Sequence, residues 1–316
     1  MTTRICIVGA GAIGSLFAAH LAQLPDVEVW AFDVSAEHVS AIRRAGLRLT
    51  GGADVLSTVH ARASADEIPP CDFGLVAVKS EYTRSAMTAA APIFADAAVA
   101  SVQNGIGNEE VIAEFVPRVI RGTTLAAGAL IAPGVVRFDA TGDTWLGPFE
   151  PHPATMEEVR SLAGLIERSG MPAHAMLDAR GAQWTKLVFN AAGNALGAVT
   201  GLSVGQLGDD PYLRPLVDGL ILEGERVAAA MGISLENDPR TMIDDAVLHA
   251  YWHHASMLQD VEARRRTEVD VLNGGLVAAG REVGIPTPLH ESMLALVKGV
   301  ERSWAPPGED DQRHGV

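Results

Sequence analysis

Lys186, Asn190 and Asn194 fall at i, i+4 and i+8 of the run that begins at Gln183-Trp184-Thr185. On a helix, that spacing lines one ammonium and two amides along a single face. Leu187, Val188, Phe189 and Leu196 then occupy the other side. The lysine offers a proton and a charge, and the amides donate to a carbonyl or a carboxylate. A solvated helix face is the plain structural alternative for such a stripe.

Further on, Ser256 opens the stretch SMLQDVEARRRTEVDVLNG, with Glu268 twelve residues later. On one straight helix the two would lie about 18 Å apart and about 120° out of phase, too far to share a small ligand. Thr267 followed by Asp270 resembles an N-cap signal. A helix break near Arg264–Arg266 with a restart at Thr267 is therefore predicted, which would let Ser256 and Glu268 face one cleft. The three arginines read as a solvated patch that balances nearby acids.

Near the start, Gly9-Ala10-Gly11-Ala12-Ile13-Gly14 lies between an apolar run, RICIV, and a helical one, IGSLFAAHLAQL. In a dinucleotide-binding turn the first glycine makes the bend. The second lets backbone approach the pyrophosphate, and the third allows close packing of helix on strand. The helix N-terminus adds N–H groups and a positive dipole end. Asp33 follows the next strand at the distance where an acid accepts from ribose hydroxyls and repels a 2′-phosphate. This predicts a preference for NAD over NADP. In the alternative, Asp33 caps the next segment and Arg43, Arg44 or Arg48 reaches back to the phosphate. Lys79 and Gln103-Asn104-Gly105 follow two later strand-like runs, FGLVAV and AVASV. Open α/β sheets bind ligands beyond such strand ends.

These residues need a scaffold, and the pattern supplies two. Strand-like runs at 4–8, 27–32, 73–78 and 98–102 alternate with helical ones, including an amphipathic helix after Gly14. That alternation predicts a parallel sheet covered by helices. Residues 131–147 read as a hairpin with turns at Pro133-Gly134 and Thr141-Gly142. Beyond residue 178 only helical stretches occur, at 182–200, 213–231, 240–263, 268–283 and 289–303. The expected organisation is a dinucleotide-binding α/β domain over 1–177, an all-α substrate domain over 178–304 and a frayed tail over 305–316.

Composition narrows the partners. The chain has 316 residues, 48% of them hydrophobic, enough for two ordinary cores. It carries 24 Lys and Arg against 39 Asp and Glu, a net charge of −15. The excess is spread over both halves. Nucleic acid and anionic membranes are thus poor partners, and a small molecule is the expected one. The only cysteines are Cys6 and Cys71. Two isolated thiols with no Cys/His cluster suit a reducing cytoplasm and argue against a structural metal site. No apolar run is long enough for a membrane helix, and no signal peptide is expected.

Together the motifs resemble the ketopantoate reductase family over nearly the whole chain. The resemblance rests on GAGAIG at 9–14, VKS at 78–80, QNGIGNEE at 103–110 and GALIAPG at 128–134. It continues through KLVFNAAGN at 186–194 and the stretch at 256–274. It implies a Rossmann-type domain followed by a helical domain like that of 6-phosphogluconate dehydrogenases, with the active site between them. It also implies a cytoplasmic monomer or homodimer that reduces a 2-oxo acid with NADP or NAD, most simply ketopantoate to pantoate in pantothenate biosynthesis. The general acid falls on Lys186. Substrate contacts fall on Lys186, Asn190, Asn194, Ser256 and Asn104. Cofactor contacts fall on residues 9–14, Asp33, Lys79, Asn104, Gly128 and Glu268, with Glu268 also beside the lysine.

In the implied mechanism Lys186 protonates the carbonyl oxygen as hydride arrives, and Glu268 holds the lysine and favours its ammonium form. Burial would oppose that preference, and sequence leaves the balance open. Two positions depart from the family pattern. Asp33-Val34 stands where NADPH-preferring members carry a basic residue. Val204-Gly205 stands where some members carry Asn-Gly, so one substrate-hydroxyl contact is expected to be missing. The alternatives are a reductase of another branched 2-oxo acid with NADH, a hydroxyacid or opine-type dehydrogenase, and a non-catalytic NAD-sensing regulator.

Overall fold

A computed structural model describes residues 2–304. The expected tail, 305–316, lies outside the described residues. The chain forms two compact units, Met1–Gln183 and Trp184–Val316.

The first unit begins β1 (Thr3–Val8), α1 (Ala12–Leu21), β2 (Val27–Phe32) and α2 (Ala36–Ala45). Three short strands follow, β3 (Leu47–Gly51), β4 (Val55–Ser57) and β5 (His60–Arg62). Then come β6 (Phe73–Val76), α3 (Thr83–Ala90), β7 (Ala98–Ser101) and α4 (Asn108–Ala113). The unit continues with β8 (Val119–Thr124), β9 (Ala127–Ala132), β10 (Val135–Ala140) and β11 (Thr144–Pro148). It closes with α5 (Met156–Arg168), β12 (Ala173–Ala175) and the first turn of α6 (Arg180–Thr200).

Eight strands make the main sheet, in the order β12-β11-β8-β7-β6-β1-β2-β5. All its neighbours run parallel except β8 and β11. After β1 the chain builds outward to β2 and β5, then crosses to β6 on the other side. The strand order therefore reverses at β1 and β6, where such sheets open a crevice at their carboxyl ends. In β1, Ile5 and Ile7 enter one core and Cys6 and Val8 the other, the alternation that a strand imposes.

Three features of this unit differ from the sequence reading. Helix α1 is buried on nearly every side from Gly14 to Ala19 rather than amphipathic. It packs on β1 and β2 of the main sheet and also on a second sheet, order β4-β3-β10-β9, and a helix covered on both sides is apolar all round. The hairpin is β9–β10, turning at Gly134 with φ +76°. The Thr141-Gly142 turn instead carries the chain back to the main sheet, where β11 pairs with β8. Finally, Cys6 and Cys71 lie in one core rather than apart, and the neighbouring Cys71 thiol together with burial pushes the Cys6 thiol well above its usual range.

The second unit holds the rest of α6, α7 (Val204–Asp209), α8 (Arg214–Ala230), α9 (Pro239–His249), α10 (Ser256–Glu262), α11 (Asn273–Val283) and α12 (Pro288–Ser303). Gly224 lets α8 press onto α6, since a Cβ there would lie 2.7 Å from Val188 Cγ2. Glu223 of α8 accepts from the backbone N–H groups of Leu289 (3.0 Å) and His290 (3.1 Å), capping α12 from outside. Asn273 donates to Ala191 O of α6 at 2.9 Å and meets His290 Nδ1 at 3.1 Å, while His290 Nε2 reaches Leu220 O at 3.0 Å. Burial pushes this imidazole down to about 4, so it sits there neutral.

The stretch read as one helix over 240–263 is two, α9 and α10. Its middle is captured by α7: Ser203 Oγ donates to Tyr251 O, and a Cβ on Gly205 would meet Tyr251 Cα at 2.5 Å.

Candidate active site

The glycine loop has the geometry its residue types imply. Gly9 takes φ +94°, and a Cβ on it would strike Val78 Cγ1 at 2.5 Å. A Cβ on Gly14 would lie 1.9 Å from Gly9 O and 3.0 Å from Ile7 Cγ2, so helix and strand could not approach with any larger residue. A Cβ on Gly11, the N-cap of α1, would meet nothing within 4 Å. No side chain caps α1, and its first backbone bond is Ser15 N to Gly11 O at 2.9 Å. The N–H groups of the first turn are thus left for an anion, and the loop fits a pyrophosphate.

Asp33 joins this loop through its carboxylate. One oxygen accepts from Ala10 N and the other from Ser35 N, both at 2.8 Å. The carboxylate thus ties the glycine turn, a contact the sequence reading did not include, to the start of the next segment, where Ser35 rather than Asp33 caps α2. Among the arginines named as alternatives, Arg48 pairs with Asp54 at 3.0 Å.

Lys79 and Asn104, each half-buried, lie in neighbouring loops beyond β6 and β7. Gln103 Nε2 donates to Val78 O and Thr83 Oγ1 at 2.8 Å each. Ser80 Oγ and Asn108 Nδ2 both donate to Asn104 O, at 3.3 and 3.0 Å. Since Val78 also packs on Gly9, the glycine turn and both loops form one rim. Gly128 of β9 is placed by α1, because a Cβ there would meet Leu16 Cδ1 at 3.1 Å.

Sequence reasoning assigned no role to one further group in this unit. Glu109 is buried, and its Oε1 accepts from Gln183 Nε2 at 2.7 Å. Burial pushes its carboxyl up to about 7 against the pull of Arg121. An acid at a helix N-terminus reads as a dipole partner, so no local signal marks it out.

In the second unit the Lys186 stripe is not a solvated face. Asn190 and Asn194 are buried and Lys186 is half-buried, while Ala191, Ala192, Ala195, Leu187 and Val188 fill the rest of α6. Burial brings the Lys186 ammonium down to about 8, opposed by the carboxylate of Glu268. Desolvation therefore outweighs the attraction of that carboxylate, the balance that sequence left open.

Glu268 is buried on a turn between α10 and α11. The predicted break is present: α10 stops at Glu262, and Arg264 takes φ +50°. The restart is later than predicted. Residues 268–272 form a turn, with Leu272 N on Glu268 O at 3.1 Å, and α11 begins only at Asn273. Arg264, Arg265 and Arg266 are exposed, and Arg265 pairs with Asp260 at 3.1 Å, as expected of an acid-balancing patch. Ser256 is exposed at the first position of α10, unlike the two asparagines.

The comparisons with known proteins cover both units. The family described as ketopantoate reductase PanE/ApbA matches residues 5–151, and its C-terminal counterpart matches residues 178–301. The 2-dehydropantoate 2-reductase of Pyrococcus horikoshii is 32% identical over 302 residues, 94% of this chain and 97% of that protein. The chain belongs to the ketopantoate reductase family. The enzyme of the same name from Archaeoglobus fulgidus is 32% identical over 298 residues, 94% of this chain and 98% of its own.

Solved structures of the family agree with both units. A ketopantoate reductase from Ralstonia eutropha matches with a TM-score of 0.85 and 31% identity, covering 95% of this chain and 99% of that one. D-mandelate dehydrogenase, solved with NADH and anilino(oxo)acetate, matches with a TM-score of 0.88 and 27% identity over the same shares. The parallel-sheet unit followed by a helical unit is the fold expected for ketopantoate reductases. Among the described residues no helix is long and apolar enough to cross a membrane.

Proposed function

We propose that this chain is an oxidoreductase that reduces the ketone of a 2-oxo acid, with ketopantoate, converted to pantoate, as the first substrate to test. The observation that carries the reading is the half-buried Lys186 beside the carboxylate of Glu268, on a chain matched along its length by 2-dehydropantoate 2-reductases. When bound, the reduced dinucleotide supplies hydride to the carbonyl carbon. Residues 9–14 and α1 would hold its pyrophosphate, with Lys79 and Asn104 on the same rim and Gly128 as a further contact. Lys186 carries the proton for the carbonyl oxygen and stabilises the charge that builds there, with Glu268 orienting it. Asn190 and Asn194 orient the substrate, Ser256 binds its carboxylate, and Asn104 completes the contacts. Residues 1–177 serve as the dinucleotide domain and 178–304 as the substrate domain, working in the cytoplasm as monomer or homodimer.

A second reading has its own support: an NADH-dependent reductase of a different 2-oxo acid. Asp33 faces the glycine turn with a carboxylate that would repel a 2′-phosphate, and the D-mandelate dehydrogenase neighbour was solved with NADH. One kinetic panel tests both readings, with ketopantoate and branched or aromatic 2-oxo acids assayed against NADH and NADPH. Highest kcat/KM with ketopantoate supports the first reading, and highest kcat/KM with another acid and NADH supports the second. Equal kcat/KM for the two dinucleotides would overturn the role of Asp33, and no turnover with any acid would overturn both readings.

A further inference from the structure

The turn that carries Glu268 is held from α12. Thr267, its immediate neighbour, sends both its backbone N–H and its hydroxyl to Glu301 Oε1, at 2.8 and 2.7 Å. Asp270, two residues beyond Glu268, pairs with Lys298. Lys298 also reaches Glu301 Oε2 at 3.3 Å, one helical turn along α12. One side of a single helix thus holds the backbone just before Glu268 and the Asp270 side chain just after it. Upstream, residues 262–266 are exposed and include the left-handed Arg264, with Arg265 tied back to Asp260 of α10.

We propose that Glu301, seated by Lys298, is a positioning residue that holds Glu268 against Lys186 and so sets the state of the proton donor. The inference rests on the reading of Lys186 as the acid. Glu301 touches neither Lys186 nor substrate in this role; it acts through Thr267. Burial would push its carboxyl up, but the Thr267 donors and Lys298 outweigh this and hold it below the usual range, so the acceptor is a carboxylate at neutral pH. The charged groups around the turn include Asp260, Arg265, Arg266, Asp270, Lys298 and Glu301. Glu268 is the charge that faces Lys186. A turn released from α12 lets Glu268 withdraw, and the lysine then gives up its proton at lower pH.

The test is the pH profile of ketone reduction for Glu301→Ala, Glu301→Gln and Lys298→Met in the full chain. For Glu301→Ala, kcat should fall by about tenfold, as small misplacements near reacting groups do. Its alkaline limb should move to lower pH by about half a unit or more, with KM for the dinucleotide unchanged. Glu301→Gln, which keeps an acceptor for Thr267, should recover most of both, and Lys298→Met should move the limb the same way by less. A lower Tm with the limb unmoved in Glu301→Ala and Lys298→Met would mean a merely structural role and overturn the inference. If Glu301→Ala does not fold, the limb of Lys298→Met decides. Lys186→Ala separates the two claims. Near wild-type turnover there would sink the reading of the acid itself, whereas loss of turnover there with an unmoved Glu301→Ala profile would sink only the positioning role.

Discussion

The glycine turn of the first unit and the Lys186 centre of the second are built from different materials. The turn is made of backbone. Its properties are missing side chains, a left-handed Gly9, an uncapped helix end and a helix that touches its own preceding strand. Every part lies within one stretch of chain, from β1 through α1, with Asp33 arriving one strand later. The Lys186 centre is made of side chains whose properties come from elsewhere. Lys186 meets a carboxylate from a distant turn, and that turn is tied to a third element by Glu301. A backbone site tolerates many neighbours but no added atoms. A side-chain site depends on distant packing, because desolvation and ion pairing set the state of its ammonium.

The largest effect that could break this contrast is Lys186→Ala. Turnover should fall by about 10²–10⁴-fold, the usual worth of a general acid, while dinucleotide binding measured by fluorescence titration stays near wild type. Equal losses in both would mean that the two sites are not separable. On the proposed role of Lys186, ketone reduction in the wild type needs the ammonium, so kcat should decline as pH rises through about 8. Oxidation of the hydroxy acid needs the neutral amine and should rise across the same range.

The next effect, about 3 kcal/mol for each group, concerns stability. His290 is held down to about 4 in the folded chain against 6.5 ordinarily. The unfolded chain therefore binds the extra proton between those values, and the second unit should lose stability as pH falls from 6.5 towards 4. Glu109 is held up at about 7 against 4.5. There the folded chain binds the extra proton, so the first unit should lose stability as pH rises from 4.5 to 7. Thermal unfolding of the wild type, His290→Leu and Glu109→Gln across pH 4 to 8 would resolve the two opposite slopes. A slope that survives its own substitution is assigned to the wrong group.

Gly14→Ala should cost about 1–3 kcal/mol by overpacking, because its Cβ would fall on Gly9 O. Weaker dinucleotide binding with an unaltered alkaline limb would sharpen the contrast, and a shifted limb would blur it. The smallest effect is ionic. With a net charge of −15, the global field repels an anionic dinucleotide, so moderate salt should leave its on-rate unchanged or raise it slightly. A steep fall with salt in stopped-flow binding would point instead to a basic steering surface.

Legibility follows the same division. The glycine loop and the parallel strands could be read because their signals are local and periodic, whereas the contact of Asp33 with Ala10 N could not. The polar stripe on α6 could be read as a stripe, but not as a buried one. The break after α10 showed in its turn residues, whereas the break between α9 and α10 did not, since it depends on α7 seizing the backbone of Tyr251. The second sheet was missed because β3 and β10 are distant in sequence, and their pairing leaves no periodic trace. Glu109 was missed because its partner, Gln183, lies 74 residues away.

By itself, then, the sequence determined the two kinds of unit, the dinucleotide turn and the residues able to donate a proton and orient a carbonyl. These follow from steric rules and hydrogen-bonding capacity that each residue carries with it. Tertiary structure alone decided that desolvation outweighs Glu268 at Lys186, that two thiols meet in one core, and that α12 grips the turn behind the lysine. Burial and ion pairing depend on which atoms surround a group, and folding brings those atoms from segments that no local pattern connects.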